Sequence, residues 1–368
     1  MAEWSIYEGL VLEDEVRIER LRNKGQFGFV FRAEDIRSRD TVAVKILKAG
    51  MANPITRAEF RNEGEILEKL SGSSHVVELR RPVGNEGRVT VYSKTPSGGE
   101  AEFELEFPYL VLEWMDVSMA EMLVRRDSLE WHERFSLIRQ VALGVHQMHL
   151  KDVYHRDLKC DNVLVGVARG ADYIAKVSDF GRSRNFRVAP LVPEDHYAFG
   201  RGHMLHAPPE CLWGLGASGD AAAFRRFDLY LLGSVLFELT VGSSITSVVY
   251  PRPDQIGDMI ARAASMSADD RRDQYAAAAN MVRAHFAPAF TMFEDALPAN
   301  VREQAGGLMR QLCDPRPERR EYRGYRRRKE YQPGLPWLLR KLEILARMSG
   351  APSSAARSIR GGQSGRAS

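Results

Sequence analysis

The most constraining feature of the chain is a polar run, H-R-D-L-K-C-D-N at His155–Asn162, set between a long helix and a β-hairpin. Upstream, Trp131–His149 carries apolar residues at 135, 138, 141, 145 and 148, the spacing of one helical face. Downstream, Val163–Val165 and Tyr173–Val177 read as two strands, so the chain turns back and sets Asp179, within D-F-G, beside Asn162. A carboxylate and an amide oxygen brought together in this way suit Mg²⁺, which keeps part of its water and also binds phosphate. Asp157 is left to orient a hydroxyl. Lys159 adds a cation where charge would develop on a transferring phosphoryl group.

The first hundred residues read as strands. Val16 and Ile18 alternate with charged neighbours, Phe29–Arg32 follows, and Thr41–Leu47 comes after a polar turn at Arg37–Asp40. Between the first two lies L-R-N-K-G-Q-F-G-F-V, Leu21–Val30, where Gly25 and Gly28 would let backbone N–H groups approach anionic oxygens. Taken alone, that run is more simply a tight hairpin. Thr56–Leu70 changes to helical spacing, with Phe60, Glu63, Leu67 and Leu70 on one face. Lys45 ends V-A-V-K and Glu63 faces inward eighteen residues later; two buried opposite charges make sense if they pair. Gly64 inside the helix costs about 1 kcal/mol relative to Ala. Val76–Leu79 reads as a further strand, and Pro82–Glu106, rich in Gly, Ser and Glu, as an enlarged hairpin connection into the strand Tyr109–Leu112.

A chain of 368 residues with 44% hydrophobic residues suits one two-lobed fold or two small domains. The net charge of +3 gives no case for nucleic acid. Cys160, Cys211 and Cys313 lie far apart, which speaks against a disulfide framework and fits a reducing cytosol. No run approaches the length of a membrane helix and the first residues do not form a signal peptide, so a soluble cytoplasmic protein is expected. Beyond Arg347 the composition collapses into Ser, Gly, Ala and Arg, a tail expected to be disordered.

In order and spacing, these motifs resemble the eukaryotic-like (Hanks-type) serine/threonine protein kinase family from about Val16 to Leu345. A-P-P-E at Ala207–Glu210, D-L-Y-L-L-G at Asp228–Gly233 and D-P-R-P-E-R-R at Asp314–Arg320 agree with it. The resemblance implies an α+β bilobal fold: an antiparallel β-sheet with one helix in the N-lobe, over a mainly α-helical C-lobe. The division would be an extension at 1–15, the N-lobe at 16–113, the C-lobe at 114–346 and the tail at 347–368. It further implies ATP as cofactor with Mg²⁺ (or Mn²⁺), and a protein substrate with a Ser or Thr acceptor, as the lysine of H-R-D-L-K suggests. Gly25 and Gly28 would cover the phosphates, and Lys45 would contact them while held by Glu63. Val30, Ala43 and Leu164 would sandwich adenine, Glu113–Met115 would meet its edge, and Leu112 would stand at the back. Asn162 and Asp179 would hold the metal. Leu67, Leu79, His155 and Phe180 would stack as an apolar column ahead of Gly181. Asp228 would brace the catalytic loop, and Arg320, rather than Arg319, would pair with Glu210.

Three departures stand out. Asn23 replaces the first glycine of the loop, where its tolerance of left-handed backbone would preserve the turn. His203 replaces a threonine that links the catalytic aspartate and lysine, and its neutral imidazole would have to supply similar hydrogen bonds. Gly181–His206 contains no threonine, so Glu194 and Asp195 are candidates to pair with Arg156 in place of a phosphate. Such departures keep open a pseudokinase or nucleotide-binding scaffold; a small-molecule phosphotransferase is the third reading. Arg319–Lys329 is a basic run that would be either a solvated face or a dock for an acidic partner.

Overall fold

The computed structural model describes residues 3–25, 28–48, 53–94, 100–167, 173–190, 199, 203–216, 219–322 and 334–350. Its N-terminal half is one antiparallel sheet built from β1 (Val11–Leu12), β2 (Val16–Lys24), β3 (Gly28–Asp35), β4 (Thr41–Leu47), β5 (Glu86–Lys94) and β6 (Glu100–Glu113). The strand order is β1-β2-β3-β4-β6-β5. Alternation along β4 sorts its side chains between two cores. Val42, Val44 and Ile46 face outward with Phe29, Phe31, Phe107 and Val111. Ala43 and Leu47 face inward and join the core shared with the helical half. The outer face is closed by residues ahead of Val16, because Tyr7 packs there with its ring 4.9 Å from Phe107.

Helix α1 (Pro54–Lys69) crosses the inner face. Its start is set by Asn53, which caps the N–H of Thr56 at 2.9 Å, with Pro54 at the first helical position. Gly64 is explained by its neighbours, since a Cβ there would run into Val83 and come within 3.1 Å of Leu110. Close packing against the sheet therefore offsets its poor helix propensity. Gly64→Ala is expected to lower stability by about 1 kcal/mol, because a clash of about 1–3 kcal/mol outweighs a propensity gain of about 1. A urea midpoint at or above that of the wild type would refute this account.

Two sequence expectations change. Val76–Leu79 is not a strand. It makes only isolated bridges, Val76 to Val177 and Leu79 to Leu112, so each end bonds to a different half of the molecule and neither ladder propagates. The Gly/Ser/Glu-rich segment also holds more structure than its composition suggests. Glu86–Lys94 and Glu100–Glu113 pair from Glu86–Pro108 through Lys94–Glu100 without a register shift.

The rest is mainly helical. After β7 (Val117–Ser118) and α2 (Met119–Leu123), α3 (Trp131–Leu150) runs beneath two small sheets. These are β10 (Tyr173–Val177), β9 (Val163–Val167) and β7, and the pair β11 (Arg184–Asn185) with β8 (Val153–Tyr154). Next comes the short α4 (Pro209–Leu212), then α5 (Ala221–Val241), buried almost all round from Phe227 to Thr240, as its uniformly apolar sequence predicts. Around it lie α6 (Ile245–Val249), α7 (Pro253–Ala264), α8 (Ala268–Asp295) and α9 (Ala299–Leu312), and α10 (Pro336–Gly350) lies against α3. This is the expected bilobal α+β architecture.

Candidate active site

The cleft between the halves gathers side chains from distant parts of the chain. Lys45 projects inward from β4 and its Nζ donates to Glu63 Oε1 and Oε2 at 2.8 and 2.6 Å. The same nitrogen reaches Asp179 Oδ1 at 3.1 Å. Burial works against the lysine's charge, but the carboxylates of Asp179 and Glu63 outweigh it and hold its pKa above the ordinary value. The Lys45 ammonium in turn holds the Asp179 carboxyl below the usual carboxylate range. Both groups are therefore ionised at neutral pH.

The polar run after β8 is held from below by α5. Asp228 accepts the backbone N–H groups of His155 and Arg156 at 2.9 and 2.8 Å, and pairs with His149 Nε2 at 2.9 Å. Arg156 and Asp179 both have left-handed backbone, at φ 67° and 64°. Each such residue costs about 1–3 kcal/mol and persists only where its surroundings over-determine it. Here they do. His155 Nε2 donates to Ser178 O at 3.0 Å, and Ser178 N and Oγ donate to Asn162 O at 2.9 and 3.0 Å. The hairpin β9–β10 thus returns Asp179 beside Asn162, whose Nδ2 donates to Asp157 O at 2.7 Å.

Phe180 is fully buried with its ring 5.4 Å from His155, and Leu67 lies in the same core, with Leu79 against it. Asn62 shares its amide among the carbonyls of Phe180, Gly181 and Ser183 at 3.1–3.3 Å, tying α1 to this segment. Neither Asn62 nor His149 stood out in the sequence. Their signal was only a polar residue on an otherwise buried helical face.

At the other wall, Gly25 N donates to Gly28 O at 2.9 Å, which holds the two glycines together. A Cβ on Gly28 would come 2.6 Å from Ile46 O, so the close approach to β4 requires glycine. Asn23 differs from expectation: it has no left-handed backbone but lies in β2 opposite Val30, next to a register shift. Ala43 and Leu112 are opposite one another in β4 and β6, with Val30 and Leu164 packed against the same core. Glu113 turns its carboxylate to Lys176 at 2.6 and 2.8 Å, which fixes the start of the connection that runs through Met115.

His203 also differs from expectation. It reaches Asp157 through its backbone, the N–H donating to Oδ1 at 2.9 Å, while its imidazole stands edge-on to His206 at 5.3 Å. A backbone donor asks nothing of the side chain, so this contact with Asp157 does not depend on a threonine. Arg182 approaches the other carboxylate oxygen of Asp157, at 3.7 Å. Lys159 contributes through its charge, which helps to lower the pKa values of Asp179 and His203.

Burial, then His203 and Lys159, push the His206 pKa down from 6.5 to about 3. Between those values only the unfolded chain takes up the proton, so stability falls as pH drops below 6.5 towards 3. The slope is at most about 1.4 kcal/mol per pH unit. Glu238, 3.9 Å away and raised by its own burial, works in the opposite sense. His206→Gln is therefore expected to flatten the fall in urea midpoint between pH 6.5 and 5; an unchanged slope would remove His206 as its cause.

Glu210 and Arg320 form a buried bidentate pair at 2.6 and 2.7 Å, whereas Arg319 lies in a 3-10 turn at Pro317–Arg319. Arg156 is buried with its guanidinium 5.0 and 5.8 Å from the rings of Phe224 and Phe227. Glu194 and Asp195 lie outside the described residues, as does 323–329 of the basic run. Cys160 is fully buried and its thiol is pushed well up, first by burial and then by Glu238, which makes it inert.

A lysine–carboxylate pair set toward a second carboxylate, with an asparagine and another aspartate on an adjoining loop, is an arrangement for handling phosphate charge and a hydroxyl. The protein kinase domain model matches residues 23–322. Similar proteins include the death-associated protein kinase dapk-1 of Caenorhabditis elegans, 27% identical over 51% of this chain and 12% of that protein. The putative cysteine-rich receptor-like protein kinase 16 of Arabidopsis thaliana is 28% identical over 61% of this chain and 30% of its own length. The serine/threonine-protein kinase PknJ of Mycobacterium tuberculosis is 28% identical over 62% and 34%. The chain thus spans about a third or less of each of these relatives. With its fold, its ordered motifs and a family match over most of its length, the chain belongs to the protein kinase family.

Proposed function

We propose that the protein transfers the γ-phosphoryl group of ATP to serine or threonine hydroxyls of protein substrates, including its own. The observation that carries this reading is the single cluster of Lys45, Glu63 and Asp179 beside the loop that holds Asp157 and Asn162. The donor set fits a hard divalent cation. Asp179 is held ionised by Lys45, and Asn162 commits its amide nitrogen to Asp157 O and keeps its carbonyl oxygen as a ligand atom. Asp179 and Asn162 would hold Mg²⁺ (or Mn²⁺) there, and the ion would supply positive charge to offset that of the nucleotide phosphates.

Asp157 orients the acceptor hydroxyl and takes its proton as the new O–P bond forms and the bond to the ADP leaving group breaks. Lys159 offsets charge on the transferring group, and Lys45, held by Glu63, positions the nucleotide phosphates. Gly25 and Gly28 would cover those phosphates, and the adenine would lie between Val30, Ala43 and Leu164 with Leu112 behind it and Glu113–Met115 at its edge. Burial of Phe180 and the Asn62 bonds favour an assembled catalytic cleft. The Ser/Thr preference rests on Lys159 within H-R-D-L-K and on the similarity to the serine/threonine-protein kinase PknJ.

No helix among the described residues is long and apolar enough to cross a membrane. Three buried free thiols support a reducing, cytoplasmic setting. The test is incubation of the purified chain with γ-labelled ATP, Mg²⁺ and generic acceptor proteins, followed by phosphoamino-acid analysis, alongside Lys45→Met. Label on serine or threonine, absent with Lys45→Met, is expected. Nucleotide binding without any transfer would favour the scaffold reading instead.

A further inference from the structure

The hairpin β5–β6 leaves one edge of the large sheet uncovered: among the described residues no strand pairs with the far side of β5. A nine-residue edge strand without proline or bulge is a template for another strand, and proteins ordinarily blunt such edges. Which backbone groups face outward follows from the register. Tyr109 N donates to Asn85 O, so Asn85 and Tyr109 form a hydrogen-bonded pair; alternation then commits residues 87, 89, 91 and 93 to β6. The N–H and C=O groups of Glu86, Arg88, Thr90, Tyr92 and Lys94 point away from the hairpin. Pro108 agrees with this pattern: it stands opposite Glu86, in a non-hydrogen-bonded pair, where no donor to β5 is missing.

We propose that this edge pairs with the same edge of a second copy, antiparallel and centred on Thr90, to make one continuous sheet across a two-fold axis. The strand is self-complementary in that register. Thr90 faces the partner's Thr90, and Arg88 faces the partner's Tyr92, a cation beside an aromatic ring that is 65% exposed in the single chain. On the other face Val89 stands beside the partner's Val91, and Phe103, 52% exposed and opposite Val91 in its own hairpin, gains cover. Outward-pointing groups at 86, 88, 90, 92 and 94 meet their own kind, since these positions pair as 86 with 94, 88 with 92 and 90 with itself. A register slipped by one residue, with Thr90 opposite the partner's Val89 or Val91, would set outward groups against positions already bonded to β6. The surface lies on the hairpin and leaves the cleft open in both copies.

The test is a cysteine at the axis. In a hydrogen-bonded antiparallel pair the Cα atoms are about 5.5 Å apart, within the range of about 4.4–6.8 Å that a disulfide spans. All three native thiols are buried and give little background. In the full chain, Thr90→Cys is expected to form a covalent dimer with oxidised glutathione, while Glu86→Cys, whose two copies would lie roughly 27 Å apart, stays monomeric. By sedimentation, the wild type is expected to show a monomer–dimer equilibrium below 100 µM on the order expected for a small interface. Thr90→Pro should weaken it at least about tenfold, because it removes an outward N–H and no bond within the hairpin. Melting temperatures of all three variants report folding. A wild type that sediments as a monomer at about 100 µM, or equal cross-linking of Thr90→Cys and Glu86→Cys, overturns the proposal. An edge that pairs only with an unrelated extended peptide would give that monomeric result.

Discussion

Asp157→Asn is expected to reduce phosphoryl transfer by about 10²–10⁴-fold, the usual worth of a general base, with nucleotide affinity and melting temperature unchanged. The reasoning is geometric. Asp157 meets its neighbours as an acceptor from the His203 N–H, and an asparagine Oδ1 can keep that bond. The loop itself hangs from Asp228 and from Asn162 through the backbone of Asp157, and neither contact uses the carboxylate. What is lost is the carboxylate that faces Arg182 and that we propose receives the acceptor's proton. Single-turnover transfer measured beside nucleotide binding separates the two effects. A parallel loss of binding or of folding would show that the carboxylate is structural.

The second large effect falls on stability. Arg320→Ala leaves Glu210 buried without its bidentate partner, and breaking a buried pair from one side costs about 3–5 kcal/mol. Arg320 also donates to Asp314 O and stacks 4.9 Å from the Tyr230 ring, so the guanidinium joins α4, α5 and the segment after α9. Replacing both residues by apolar ones of similar volume, Glu210→Met with Arg320→Met, is expected to cost less than either truncation alone. Urea denaturation of the single and double variants measures the difference. Equal losses in Arg320→Ala and in an exposed control such as Arg347→Ala would refute the buried-charge account.

Much of the site was legible because short motifs carry their own geometry. H-R-D-L-K-C-D-N followed by a β-hairpin and D-F-G has few ways to fold that do not bring Asn162 and Asp179 together. Lys45 and Glu63 were legible for a different reason: each ended or interrupted an apolar pattern, and a buried charge needs a partner. Long periodic elements were equally readable, as α3 and α5 illustrate. Less legible was anything settled by what packs alongside. Val76–Leu79 has strand-like residues, but its two neighbours belong to different lobes, so no ladder forms. In β5 and β6 the alternation of Arg88-Val-Thr-Val-Tyr92 and Glu102-Phe-Glu-Leu-Glu106 was present, but the surrounding Gly and Ser masked it.

His203 marks the boundary most clearly. Its side chain argued against an ordinary catalytic loop, and only the folded backbone supplies the N–H that reaches Asp157. Sequence by itself determined the family, the two-lobed architecture and the chemical types assembled in the cleft, because spacing and residue chemistry are local properties. Tertiary structure alone decided how those residues are held: Asn62 on the D-F-G segment, His149 on Asp228, Gly64 against Val83, and the free edge of β5. Each of these depends on which surface faces which, and that information exists only once the chain has folded.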